Sequence, residues 1–237
     1  KNFYEAFFYF SQIPWTGNVL FFGELIDASS LPFYYLPTWI FITTPEIVIL
    51  LLLFSIYILI VKIYKTKNLD KKILEDFFFF IYFIVVPIFL NIILKTILFD
   101  GWRHFYFIYP FMILTSMLLL KYLINKKIIK FFEIIICFNI LFLIFWNISN
   151  NPFQYLYFNK LLLGKNSILL FEKDYWGISN KQALEFLNEV ETNNIPVTSH
   201  GSNLKTSLLI LNPEDQKKFF FVNKDKYKDK YYVFINN

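Results

Sequence analysis

Three ionisable side chains, Asp100, Arg103 and His104, lie close together between two strongly apolar stretches, in the segment LFDGWRHFYFIYP at residues 98–110. Ionisable side chains are costly in hydrocarbon, so we expect them at the water interface or facing a protein-lined cavity. A guanidinium offers a flat fork of donors and a permanent charge, which beside an imidazole suits the binding of a phosphate. The alternative is that Trp102 and Arg103 only anchor the end of a spanning helix.

A further cation precedes this segment. Asn91 and Lys95 are about one helical turn apart and are predicted to share a helix face that leads towards Arg103 and His104. Lys95 is therefore a candidate third lipid-phosphate-binding residue, although its side chain could also simply reach the interface. His104 and His200 lie in different regions and neither has a ligand-like partner at helical spacing, so no metal site is predicted.

The composition indicates which elements must position these residues. Hydrophobic residues make up 57% of the 237-residue chain and charged residues only 17%. Soluble domains are usually ~45–50% apolar and ~25% charged, so we interpret the chain as a multi-pass membrane protein. The single cysteine excludes an intrachain disulfide.

Four segments are long and apolar enough to cross a bilayer, which takes ~20 residues. They are residues 45–63, 77–98, 105–123 and 128–148. Five lysines lie in the connection 62–76 and four in the connection 121–130. Short loops rich in Lys and Arg stay cytoplasmic, so residues 1–44, the loop with Arg103, and residues 149–237 are predicted to be extracytoplasmic, at a cell (inner or plasma) membrane.

The two outer parts differ in character. Residues 1–44 are aromatic but interrupted by proline and glycine, and are predicted to form an interfacial hairpin or a re-entrant loop on the outer face. Thr44 is predicted to cap the first span. Residues 149–237 are predicted to form a small α/β domain with a mainly parallel sheet. Its predicted strands are 167–171, 195–199, 219–222 and 231–235, and its predicted helices are 180–191, opened by a capping box at 179–182, and 204–211.

The outer α/β part carries nearly balanced charge, with no basic stripe, so no nucleic-acid partner is predicted. The fold class predicted for the whole chain is thus a membrane all-α region of about four helices at residues 45–148, followed by a small extracytoplasmic α/β domain. Because the chain opens at Lys1 rather than at a Met, we interpret it as the C-terminal part of a longer polypeptide, or as a processed one.

Four blocks carry a family resemblance. They are LPFYYLPTWIFITTP at 31–45, DGWRHFYFIYP at 100–110, NPFQYLYFN at 151–159 and FEKDYWGIS at 171–179. In this order they resemble the C-terminal half of bacterial glycosyltransferase family 39 proteins, relatives of the dolichyl-phosphate-mannose protein mannosyltransferases in the GT-C superfamily. The resemblance covers nearly the whole chain and implies a partial GT-C-like fold.

The resemblance implies an enzyme that moves a sugar from a polyprenyl-phosphate carrier to an acceptor on the non-cytoplasmic side. The loop with Arg103 and His104 would face the carrier phosphate, and fixed cations there would stabilise the charge that grows on the leaving group. The family's general base is an acid in an earlier external loop, and neither Glu24 nor Asp27 matches that motif. No catalytic residue is therefore assigned, and the predicted partners are membrane lipids and the carrier-linked sugar, with no cofactor beyond that donor and metal dependence open.

The blocks beyond the last span supply five candidates for the acceptor side of the site. They are Gln154, Tyr155, Asn159, Asp174 and Trp176. The alternative is that these residues pack the α/β domain, with Trp176 as an interfacial anchor.

Two other function classes stay open. A transporter or flippase of lipid-linked sugars would also contain interior charges and broken segments, although it should show related halves. A non-catalytic membrane partner would use the outer α/β domain to dock another protein. The leading prediction is a membrane hexosyltransferase represented by its C-terminal part.

Overall fold

A computed structural model describes most of the chain. The described residues are 4–5, 15–66, 70–123, 125–159, 167–174, 176–192, 194–200, 203–223, 225–227 and 229–235. They divide into two compact units. The helical unit contains the described residues of 1–149 and 157–170, and the α/β unit contains those of 150–156 and 171–235. The segment from 157 to 170 is thus grouped with the helices that precede it rather than with the α/β part.

A hairpin forms in the segment that was predicted to be an interfacial hairpin or a re-entrant loop. Strands β1 (Asn18–Phe21) and β2 (Glu24–Asp27) form an antiparallel hairpin. Helix α1 (Tyr35–Thr43) follows and buries Trp39, which is 4% exposed. The bounds of the hairpin strands were not predicted because each strand is only four residues long.

Three helices are long and apolar enough to cross a membrane: α2 (Glu46–Thr66), α3 (Lys71–Leu94) and α5 (Lys126–Ser149). Helix α4 (Ile108–Leu123) occupies the third predicted span but has only 16 residues. At 1.5 Å per residue it is about 24 Å long, less than the ~30 Å of a typical hydrocarbon core. Four spans were predicted, but only three helices of the described residues are long enough to cross a membrane. The third predicted span is shorter than expected because the segment before Ile108 forms turns instead of helix.

The short helix α4 is nevertheless the most buried of the four. It packs against both α2 and α3, and Ile108, Thr115 and Leu119 on it are 0% exposed. The Ser55 hydroxyl on α2 donates a hydrogen bond to the Ser116 carbonyl, at 3.2 Å. Small hydroxyl residues at this contact let two helix backbones approach closely.

The start of α2 differs from the prediction. Thr44 is fully buried and its hydroxyl makes no hydrogen bond within the described residues, so it does not cap the helix. The Pro45 carbonyl instead accepts hydrogen bonds from the Val48 and Ile49 amides, and the helix begins at Glu46. The proline precedes the first helical residue because its fixed φ suits a helix start and it has no amide hydrogen to satisfy.

The α/β unit has a three-stranded parallel sheet in the order β4–β3–β5. The strands are β3 (Ile195–His200), β4 (Phe219–Phe221) and β5 (Tyr232–Ile235). Helix α6 (Ser179–Val190) packs on the sheet through Leu184 and Leu187, in a core with Val197 and Phe234. The predicted parallel sheet and its three later strands are confirmed.

One local prediction for the second half of the chain is wrong, and another is confirmed only in part. The predicted strand at 167–171 is a 3₁₀ helix, Ser167–Leu170, and only Phe171 after it forms a bridge. The predicted helix at 204–211 is the short α7 (Leu204–Leu208), after which the chain turns towards α8 (Pro213–Gln216). Both segments are short apolar runs, and periodicity alone does not separate helix from strand at that length.

Candidate functional site

The turn between α3 and α4 is held to α1 by two aromatic contacts. Asp100 and Gly101 both have positive φ, 57° and 71°, as in a type I′ turn. A Cβ atom at Gly101 would lie 3.3 Å from Cε3 of Trp39, so only glycine fits without displacing that ring. The Trp102 indole donates a hydrogen bond to the Thr43 hydroxyl, at 2.6 Å. Trp102 is 5% exposed and therefore belongs to the core of the helical unit rather than to a headgroup-level anchor.

The Arg103 guanidinium is enclosed by an acid and an aromatic ring. Its Nη2 lies 2.9 Å from Asp100 Oδ2, and its Cζ lies 4.8 Å from the centre of the Phe99 ring. Trp15 stacks on Phe99 at 4.8 Å. The Arg103 side chain is 24% exposed and that of Asp100 is 16% exposed, so the ion pair is largely screened from water.

His104 lies on the other side of the same aromatic ring, 5.2 Å from the centre of Phe99. Burial, and then the neighbouring Arg103 charge, lower the pKa of His104 below 6.5. Burial raises the pKa of Asp100, against the opposing effect of Arg103. At neutral pH the turn thus holds one cation, one anion and a neutral imidazole that can still donate one hydrogen bond.

The prediction that Lys95 and Asn91 share a helix face is wrong. Helix α3 ends at Leu94, and Lys95 follows in the left-handed conformation with φ 48°. Its amide donates to the Asn91 carbonyl, while the Asn91 side-chain amide donates to the Thr96 hydroxyl. Lys95 lines a cavity of about 90 Å³, and neither Arg103 nor His104 is among the lining residues. The predicted set of three cations is therefore split between two places.

Asp174, a predicted acceptor-side residue, is engaged in capping a helix. Its carboxylate accepts hydrogen bonds from the Ile178 amide at 2.9 Å, the Ser179 amide at 3.1 Å and the Ser179 hydroxyl. The Tyr155 hydroxyl donates to the same carboxylate, at 2.7 Å. The predicted capping box at 179–182 is thus replaced by an acid from outside the helix, which satisfies the free amides of its first turn.

The other three acceptor-side candidates belong to both units. Asn159 is 1% exposed in the helical unit. Its backbone amide donates to the Ile42 carbonyl at 2.7 Å, and its side-chain amide donates to the Thr44 carbonyl at 3.1 Å. Gln154, in the α/β unit, donates to the Asn151 side chain at 2.9 Å. Trp176, also in the α/β unit, is 53% exposed. Within the α/β unit, Tyr155 and Asp174 are joined by a hydrogen bond.

A polar pair that the sequence did not indicate joins the start of α2 to the segment after α5. The Tyr157 hydroxyl donates to Glu46 Oε2 at 2.7 Å, and the Trp146 ring meets the Tyr157 ring edge-on at 5.1 Å. Burial, and then the bonded carboxylate of Glu46, raise the pKa of Tyr157. The two residues are 111 positions apart, and the only sequence signal was an acid in the first turn of a span.

Comparisons with protein families, curated proteins and solved structures found no match for this chain. Within the described part of the chain, no group of three or more His, Cys, Asp or Glu side chains could hold a metal ion. The three long apolar helices indicate a membrane-embedded, multi-pass protein with a small α/β part. Within the helical unit, the feature with the clearest chemistry is the turn that contains the Arg103–Asp100 ion pair and His104.

Proposed function

We propose that this chain is the C-terminal part of an integral membrane glycosyltransferase that moves a sugar from a polyprenyl-phosphate carrier to an extracytoplasmic acceptor. The observation that supports this most directly is the Arg103 guanidinium, held by Asp100 against Phe99 in the turn between two apolar helices, with His104 beside it. The four sequence blocks that resemble family 39 glycosyltransferases support the same reaction class.

Arg103 would act on the leaving group. When the bond between sugar and phosphate breaks, negative charge grows on the phosphate, and a fixed donor there stabilises the transition state more than the ground state. The carrier phosphate would accept hydrogen bonds from the Arg103 guanidinium, with the neutral His104 donating one further hydrogen bond.

The general base of this reaction is proposed to come from a part of the enzyme outside this chain. The hairpin acids Glu24 and Asp27 do not match the family's motif, and Asp27 is occupied by hydrogen bonds from Ser29. In the proposed orientation the hairpin and the Arg103 turn lie on the extracytoplasmic side, and the lysine-rich connections lie inside. Of the acceptor-side candidates, Trp176 is the most open to a ligand because it is 53% exposed.

The test is sugar transfer in membranes that contain the complete enzyme, with radiolabelled polyprenyl-phosphate sugar as donor. Arg103→Ala is expected to lower the transfer rate by about 10²–10³-fold, the effect of removing one preorganised donor to a developing charge. Lys121→Ala is the matched control, because Lys121 also follows an apolar helical run and contacts the ring of Tyr122. It is expected to leave the rate unchanged.

Equal transfer by Arg103→Ala and wild type, with equal amounts of monodisperse protein extracted, would remove the phosphate-binding role of this turn. Movement of the lipid-linked sugar across sealed vesicles, without covalent transfer by the wild-type enzyme, would instead establish the flippase alternative. The two results are separated by analysing the product for a new glycosidic bond.

A further inference from the structure

A cavity in the helical unit is lined by Lys95 but by neither Arg103 nor His104. The end of α3 and the segment after the hairpin enclose a cavity of about 90 Å³. One wall is formed by Asn91, Lys95 and Thr96, and the other by residues 28–35. This space is well above the ~15 Å³ that one water molecule needs.

Lys95 brings an uncompensated charge to the cavity. It makes no ion pair within the described residues. The acid next to the opposite wall, Asp27, accepts hydrogen bonds from the Ser29 amide at 2.7 Å and the Ser29 hydroxyl at 2.5 Å. These bonds lower the pKa of Asp27 and keep its carboxylate within its own turn. The cation is therefore available to an external anion.

The polar groups next to Lys95 are also arranged as donors. The Asn91 amide donates one hydrogen to the Thr96 hydroxyl and keeps a second. Because the Thr96 oxygen accepts that bond, its own hydrogen remains available to donate. An ammonium, a hydroxyl hydrogen and an amide hydrogen on one wall match a ligand that has several acceptor oxygens and negative charge.

The backbone at Lys95 is unusual for a lysine. A left-handed residue after a helix is usually glycine or asparagine, because other L-residues are strained at φ near 50°. The strained backbone of Lys95 destabilises the fold locally, and its side chain lines the cavity. On the other wall, Pro32 and Phe33 supply apolar surface.

We propose that this cavity binds a phosphate group, either of an anionic lipid headgroup or of free phosphate, independently of the Arg103 turn and of the glycosyltransferase proposal. Lys95 supplies the charge, and Asn91 and Thr96 supply the hydrogen-bond donors.

The experiment is calorimetric titration of the whole chain in an uncharged, phosphate-free maltoside detergent. The Arg103→Ala background removes the other anion position, so that the heat reports on this cavity alone. The two probes are inorganic phosphate and dihexanoyl phosphatidic acid. Binding of only the lipid identifies a headgroup site, and binding of free phosphate identifies a site open to the soluble ion.

Lys95→Gln, added to that background, is expected to weaken binding at least about tenfold, as the loss of a charge-assisted hydrogen bond does. Lys121→Gln in the same background is expected to bind like the parent protein. The proposal is overturned if neither probe binds the Arg103→Ala protein, or if the Lys95 and Lys121 variants bind equally. Lys95→Gly provides a second variant, since glycine relieves the strained φ and removes the charge without disturbing the fold. Retained binding by a folded Lys95→Gly protein would also overturn it.

Discussion

At the scale of single residues, the Arg103 charge is opposed by an acid three positions earlier. Asp100 lies 2.9 Å from Arg103 in a largely covered ion pair, and the pKa of His104 is lowered, so the turn has no net charge at neutral pH. An arriving phosphate must therefore compete with Asp100 for the guanidinium. This competition makes the strength of anion binding adjustable by changing Asp100 or the pH.

Replacing Asp100 with asparagine is expected to increase the affinity of the turn for phosphate by up to about fivefold, since partly exposed ion pairs contribute about 1 kcal/mol. The measurement is a phosphate titration in the Lys95→Gln background, which removes the charge of the proposed Lys95 cavity site. Asp225→Asn, at an exposed position of the α/β unit, is the control and should have no effect. A lower affinity for Asp100→Asn would show that the acid orients the guanidinium more than it competes.

The pH dependence follows from the same two groups. Protonation of His104 below its lowered pKa adds a positive charge, and protonation of Asp100 at a raised pKa removes a negative one. Both changes make the turn more positive, so affinity for an anion should rise as the pH falls from 7 towards 5. Dimethyl phosphate is a suitable probe because its own charge is constant over this range. His104→Gln should flatten the rise between pH 6.5 and 5, and an unchanged profile would exclude a role for the imidazole.

Two positions with positive φ are expected to respond to substitution in opposite directions. Gly101→Ala should lower the free energy of unfolding by about 1–2 kcal/mol, since an added Cβ is strained at this φ and meets Trp39 at 3.3 Å. Lys95→Gly should leave this free energy unchanged or raise it, since glycine adopts φ 48° without strain. Denaturant unfolding in detergent, followed by tryptophan fluorescence, measures both. Equal effects of the two substitutions would contradict the assignment of strain.

At the scale of elements, the start of α6 depends on a residue outside the helix. Asp174 accepts hydrogen bonds from two backbone amides and from the side chains of Tyr155 and Ser179. The helix packs Leu184 and Leu187 on the sheet, so fraying at its first turn weakens the core of the α/β unit. Asp174 therefore has a structural role whether or not it also contacts an acceptor.

Asp174→Ala is expected to destabilise the α/β unit by about 1–2 kcal/mol, the usual effect of losing a capping acid. Hydrogen exchange of the Ile178 and Ser179 amides should accelerate first. Tyr155→Phe removes one donor and keeps all capping bonds, so a smaller loss is expected. If the two substitutions had equal effects, the Tyr155 hydroxyl rather than the cap would be the main support.

At the scale of the whole molecule, the membrane topology depends on whether the short helix α4 crosses the bilayer. Its 16 residues cover less than a typical hydrocarbon core, yet it is the most buried of the four helices α2 to α5. We expect α4 to cross the bilayer within a locally thinned region, because the lysine-rich connection between α2 and α3 and the one between α4 and α5 both favour the cytoplasmic side.

Single cysteines introduced into a Cys137→Ser protein test this topology. Lys71→Cys and Lys127→Cys are expected to react with a membrane-impermeant maleimide from the cytoplasmic side of membrane vesicles, and Ser29→Cys from the opposite side. Sidedness is checked by labelling vesicles of both orientations. Reaction of Lys127→Cys from the same side as Ser29→Cys would mean that α4 does not cross and that the membrane region has three spans.

The local hydrophobic pattern of the sequence was sufficient to predict the helices and strands that depend on neighbouring residues. Long apolar runs determined α2, α3 and α5, since an uninterrupted helix satisfies its own backbone hydrogen bonds in hydrocarbon. Alternating apolar segments and turns likewise determined the parallel strands β3, β4 and β5 and helix α6. Hydrophobic length and periodicity are properties of short windows, so they could be predicted without knowledge of the fold.

Tertiary structure alone decided which polar groups meet. The sequence places Lys95 and Arg103 close together, but the end of α3 at Leu94 and the turn at Asp100 direct them to different positions. The Tyr157 side chain donates a hydrogen bond to Glu46, 111 residues away in the chain, and the Trp102 side chain donates one to Thr43, 59 residues away. Such pairings depend on how distant segments pack and on where each helix stops. A left-handed residue or a buried ring can redirect a side chain that the local periodicity would have placed elsewhere.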